Sequence, residues 1–128
     1  MLRSVEATAE GLGDRPGRAW KRIFAAPARG FDALAEDVYR PLPHLPRHPL
    51  LLARFGAAAT LPATALVRAL PGEEAKALFG GVAAHAIAPL ERPISAAIGM
   101  ALICSGQRYG WPVAVGGSGA IVTSTPCR

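Results

Sequence analysis

Residues 94–107 read Ile-Ser-Ala-Ala-Ile-Gly-Met-Ala-Leu-Ile-Cys-Ser-Gly-Gln, a helical run that is apolar on nearly every side. A helix without a polar face has to be enclosed by other elements. In a lone chain of 128 residues that is hard to arrange, because such a chain withdraws only roughly two thirds of its unfolded surface from water. The run is also shorter than the ~18 apolar residues that span a bilayer. The next candidate, 50–67, is broken by Arg54 and Pro62. The expectation is a buried helix whose cover comes in part from outside the chain.

Proline and glycine divide the rest into short helices. Asp14 can cap a helix with Pro16 in its first turn, where proline is tolerated. Trp20, Ile23 and Phe24 share its apolar face, and Pro27 and Gly30 are expected to interrupt it. Phe31, Leu34, Ala35 and Val38 mark a second amphipathic helix, with Glu36 and Asp37 off the stripe. Pro41, Pro43, Pro46 and Pro49 make 40–49 an extended or turning connection inside one domain. Short helices are expected at 50–55, ended by Gly56, and at 61–70, closed by Pro71 and Gly72. From Glu73 the residues Ala75, Leu78, Phe79, Val82, Ala83 and Ala86 form a full apolar stripe, ended by Pro89. Gly80 and Gly81 interrupt it at a cost of about 1 kcal/mol each relative to alanine, which points to another backbone passing close by. Residues 109–115, Tyr-Gly-Trp-Pro-Val-Ala-Val, read as a strand stopped by Gly116 and Gly117.

The formal net charge is +5, which raises the question of a nucleic-acid partner. The arginines are scattered along the chain with no run of them forming a stripe and no aromatic residues interleaved as stacking platforms, which argues against nucleic acid. Cys104 and Cys127 are too few for a disulfide framework. Cys104 falls in an apolar run and reads as a small core residue. Without an apolar leader at the N-terminus, the expected setting is cytoplasmic, with contact at a membrane surface left open.

Candidate chemistry is sparse. His44 and His48 have the spacing of a helical metal pair, but Pro46 between them spoils that helix and no carboxylate or cysteine completes a site; no metal is expected. His85 lies on the flank of the stripe after Glu73, either as a core-edge histidine bonded to a carbonyl or as a residue facing a substrate cavity. Ser105 and Ser118 stand beside glycines outside any Gly-x-Ser-x-Gly elbow. Gly116-Gly117-Ser118-Gly119 follows the expected strand and can turn backbone N–H groups toward a phosphate or a polar ring edge. It lacks the Gly-x-Gly-x-x-Gly spacing of a dinucleotide fingerprint.

Several segments, taken in order, resemble one family. They are Thr8-Ala9-Glu10-Gly11-Leu12-Gly13, Trp20, Pro46-Arg47-His48-Pro49-Leu50, and Leu52-Ala53-Arg54-Phe55-Gly56. Then come Gly80-Gly81-Val82-Ala83-Ala84-His85, Pro89-Leu90 with Pro93, and Gly110-Trp111-Pro112-Val113-Ala114-Val115-Gly116-Gly117-Ser118. Together they are similar to the middle of the phytoene-desaturase-like FAD-dependent oxidoreductases of the amine-oxidase superfamily, to about Ile121. The tail 122–128 departs from the family's pattern, and Pro126 does not suit the helix that follows there.

The resemblance implies a mainly α chain with a short β element. It would be the helical substrate-domain segment, residues 1–128, of an α/β FAD-dependent oxidoreductase whose Rossmann part is absent. It implies FAD as cofactor of the intact parent, a hydrophobic small-molecule substrate oxidised by hydride transfer to flavin, and the remainder of the flavoprotein as partner. It places Gly116 and Gly117 near the flavin, and His85 and Trp111 at the substrate cavity. By itself the chain is expected to be inactive. The alternative is a small alanine-rich helical protein, not an enzyme, that meets a membrane surface or a partner through its apolar helices.

Overall fold

The computed structural model describes residues 1–40 and 45–124. Pro41, Pro43, His44, Pro126 and Cys127 lie outside the described residues, so the pairing of His44 with His48 and the last part of the expected off-pattern tail lie outside them too. The described chain is mainly helical: α1 (Val5–Gly11), α2 (Asp14–Arg29), α3 (Phe31–Val38), α4 (Pro49–Ala59), α5 (Ala63–Ala69), α6 (Glu73–Ala83), a 3-10 turn (Ala84–Ala86), α7 (Ala96–Tyr109) and α8 (Ser118–Ser124).

The apolar run becomes α7, and the chain itself surrounds it. Helices α2, α3, α4, α5 and α6 all pack against α7. Ala96, Gly99, Met100, Ile103, Cys104, Gly106 and Gln107 are buried, and Ile98 is the one exposed apolar residue before Tyr109. The expectation that its cover must come from outside is therefore corrected. Alanine and glycine let neighbouring helices approach closely enough for a short chain to enclose it. A Cβ on Gly99 would lie 3.0 Å from the Ala83 Cβ of α6.

Trp20 and Phe24 of α2 pack as tilted rings with centroids 4.3 Å apart, and Phe24 continues to Phe79 of α6 at 6.1 Å. These rings, with Leu34, Leu70, Met100 and Ile103, are the fully buried large side chains. Burying each stabilises by about 1.5–3 kcal/mol, so a few large residues carry much of a core that is otherwise rich in alanine.

Several boundaries differ from the sequence reading. Gly13, not Asp14, is the N-cap of α2, and Asp14 sits in the first turn, where its charge suits the helix dipole. Pro27 does not interrupt α2. It costs one hydrogen bond in the last turn, but its ring is buried in the core. Gly56 does not end α4, which runs on through three alanines to bury Ala59. The stripe from Glu73 ends before Pro89, at Ile87, which takes left-handed backbone (φ 50°) after the 3-10 turn.

The strand expected at 109–115 is not formed, and no strand occurs among the described residues. A strand is defined by its ladder. Here α7 extends through Tyr109, Gly110 turns the chain at φ 85°, and no second extended segment lies alongside to pair. The mainly α part of the expectation holds; the β element does not.

Two buried polar clasps position the loops. Ser95 Oγ accepts from the Ala63 N–H at 2.8 Å and donates to the Leu90 carbonyl at 2.8 Å. It thus satisfies one of the free N–H groups at the start of α5 from a segment 32 residues away. Ile94 N–H to Thr60 O (2.9 Å) and Ala96 N–H to Leu61 O (3.2 Å) complete the strap. At the other end, Gln107 Nε2 donates to Thr8 Oγ1 at 3.0 Å, joining α7 to α1.

Candidate functional site

His85 lies in the 3-10 turn after α6 and is exposed, its Nδ1 3.1 Å from the Val82 carbonyl one turn back. It lines a shallow groove of about 300 Å³ with Gly81, Ala84 and Ile87. Gly80 and Gly81 admit no close backbone: a Cβ at Gly80 would meet only Val67 Cγ2 at 3.7 Å, and one at Gly81 nothing within 4 Å. The close backbone approaches expected there occur instead at Gly17, against Ala9, and at Gly99, against Ala83.

Trp111 follows α7 and lies with its indole across Gly106, where a Cβ would come within 2.5 Å of the ring. It remains 55% exposed and borders a groove of about 310 Å³ with Arg3, Tyr109, Gly110 and Pro112. The grooves at His85 and Trp111 share no lining residue. Gly116 and Gly117 both have left-handed backbone (φ 87° and 81°) in an exposed turn. The Gly117 N–H is taken by the Ala114 carbonyl at 3.0 Å, and α8, which follows, has no buried residue.

Two polar constellations had no local signal in the sequence. Asp32 on α3 accepts from Arg108 Nη2 (2.6 Å) and Nε (3.1 Å) and from the Tyr109 hydroxyl, pinning α3 to the end of α7. The Tyr109 hydroxyl, and then Arg108, hold the Asp32 carboxyl below its ordinary value. The same bond to Asp32 raises the Tyr109 phenol. These partners are 76 and 77 residues apart, so no spacing rule reveals them. Asp37, read as off the stripe, is buried, and its carboxylate accepts the Arg47 and His48 N–H groups at 2.8 Å each, just before α4 begins. Both arrangements are structural ties: neither opens into an enclosed cavity.

Cys104 is buried, and desolvation pushes its thiol up to about 12, which makes it a poor nucleophile. Among the described residues no group of three or more His, Cys, Asp or Glu side chains is placed to hold a metal ion. The fold and its polar groups thus define an α-helical domain with open surface grooves and, among the described residues, no assembled nucleophile, base and oxyanion set. Comparison with protein-family models, with curated proteins and with solved structures gives no match.

Proposed function

We propose that this chain is the helical substrate-domain part of an FAD-dependent oxidoreductase similar to the phytoene-desaturase-like enzymes. In this reading the parent oxidises a hydrophobic small molecule with the flavin as hydride acceptor. The observation that carries the reading is the segment after α7. Val113 is 86% and Val115 97% exposed, and the alternating apolar stretch has no ladder partner. Such a stretch is what a strand looks like when the sheet it belongs to is elsewhere. Gly81, His85, Pro89, Pro93, Trp111, Gly116 and Ser118, which contribute to the resemblance, are likewise exposed. A surface that the rest of a flavoprotein covers would look like this.

The chain's own residues do not fit an FAD site. No glycine-rich strand-to-helix turn of dinucleotide spacing is present in the sequence. The Gly116-Gly117 turn is open and precedes a seven-residue helix. The phosphate-binding half would belong to the rest of the parent, with Gly116 and Gly117 at most flanking the flavin and His85 and Trp111 each contributing one wall to a pocket completed there. A second reading, a self-contained helical protein without enzymatic activity, is favoured by the closure of the helices around α7.

The test is the coding sequence on both sides of this chain, read in all frames, followed by purification of the joined protein. The expected result is a Gly-x-Gly-x-x-Gly unit upstream, a flavin absorption band in the joined protein, and none in the isolated chain. Flanks that encode no nucleotide-binding unit, together with a cooperatively melting, flavin-free monomer, would favour the second reading and refute the first.

A further inference from the structure

Helix α2 gathers cations that look scattered in the sequence. Arg15, Arg18, Arg22 and Arg29 follow the helical repeat at i, i+3, i+7 and i+14. All four are exposed, and they lie opposite the face that buries Gly17, Trp20, Phe24 and Ala28. Lys21, also exposed, borders the same stripe. The absence of an arginine stripe read from the sequence is therefore corrected: the stripe exists at a helical period. The row spans roughly 21 Å at 1.5 Å per residue. No ion pair involves these residues among the described side chains. Asp14 is the one carboxylate on the helix, and Glu10 of α1 approaches the groove at Arg18 and Lys21.

The neighbouring element is apolar where α2 is basic. Arg54 of α4 reaches across to donate to the Arg22 carbonyl at 3.2 Å. Beside Arg54, α4 exposes Leu50, Ala53 and Ala57, at helical spacing and opposite the face that buries Phe55 and Ala59. Leu50 is 86% exposed.

We propose that this composite face, the arginine row of α2 with the open Leu/Ala face of α4, docks on a bilayer surface that carries acidic lipid. A row of unpaired arginines finds its complement in a plane of anionic headgroups. An adjoining aliphatic face with no polar groups gains from the acyl boundary, and electrostatic and apolar terms together are what interfacial binding requires. Nucleic acid fits less well: Trp20 and Phe24, the aromatic residues of α2, point into the core and offer no stacking platform. Among the described residues no single helix is long and apolar enough to cross a membrane, and α4 with α5 is so only as a pair bent by 92°. This proposal does not depend on the flavoprotein reading and is tested without flavin.

The experiment is co-flotation of the full chain with phosphatidylcholine vesicles, with and without phosphatidylserine. The expected result is binding to the acidic vesicles only, weakening as salt is raised. Substituting Arg15→Gln, Arg18→Gln and Arg22→Gln together should lower vesicle affinity about a hundredfold, at about one kcal/mol per cation near such a surface. The matched set Arg68→Gln, Lys76→Gln and Arg92→Gln, on other elements, removes the same charge and should lower it severalfold at most. Leu50→Ser should weaken binding with the arginines intact. The proposal is overturned if the folded chain ignores acidic vesicles, if the two triple variants lose affinity equally, or if the chain binds duplex DNA and not vesicles. Circular dichroism of each variant verifies that the comparison is between folded proteins.

Discussion

Adding one methyl group at Gly17 should destabilise this protein, although alanine is the better helix former. The built Cβ lies 2.1 Å from the Ala9 carbonyl oxygen, 2.9 Å from its carbon and 3.3 Å from its Cα. Ordinary carbon–oxygen contact is roughly 3.3 Å, so α1 must move off α2 by about 1 Å. All the atoms struck are backbone, so no rotamer change relieves the clash. Helix α1 is also held by the 3.0 Å bond from Gln107 Nε2 to Thr8 Oγ1, and a shift of that size breaks it. Overpacking costs about 1–3 kcal/mol, and leaving the buried Gln107 amide unpaired costs a similar amount. Against this stands a propensity gain of about 1 kcal/mol. The net loss for Gly17→Ala is roughly 1–5 kcal/mol, a fall in Tm on the order of 4 °C per kcal/mol for a chain of this size. Gly81→Ala, in the last turn of α6 with nothing within 4 Å of its Cβ, should instead raise Tm by a few degrees. Thermal melts of the two variants followed by circular dichroism decide the matter. If Gly17→Ala melts at or above the parent, or if both variants shift in the same direction, the α1–α2 contact does not exist as described.

Ser95→Ala should lower stability by about 1–3 kcal/mol, because it strips the Ala63 N–H at the start of α5 of its 2.8 Å acceptor; a urea midpoint unmoved at constant m contradicts the clasp. The Asp32–Tyr109 bond predicts stability changes at both ends of the pH scale. The Asp32 carboxyl is lowered from 3.8, so its contribution is present above that value and is lost as pH falls through the folded value. The Tyr109 phenol is raised from 10.0, so its contribution is present below that value and is lost as pH rises through the folded value. Tyr109→Phe should remove the alkaline loss and shrink the acid one in urea midpoints measured across pH, and a variant that keeps the parent's alkaline loss argues against the bond.

Much of this protein was legible locally, because proline, glycine and apolar periodicity act over one or two helical turns. The amphipathic α3 began and ended where Phe31 and Val38 placed it, and α6 began at Glu73. The character of α7 as a core helix followed from its composition, as did the burial of Cys104. Other features required the tertiary structure, since they depend on residues far apart in the chain. Whether α7 could be covered depended on how closely alanine and glycine let five helices approach. Whether 109–115 became a strand depended on a partner that no local pattern supplies. The glycines that matter for packing proved to be Gly17, Gly99 and Gly106 rather than the adjacent pair at 80 and 81. Asp32, Asp37 and Ser95 acquired partners 10 to 77 residues away. Local sequence sets which backbone shapes are affordable; only folding decides which distant groups then share the same space.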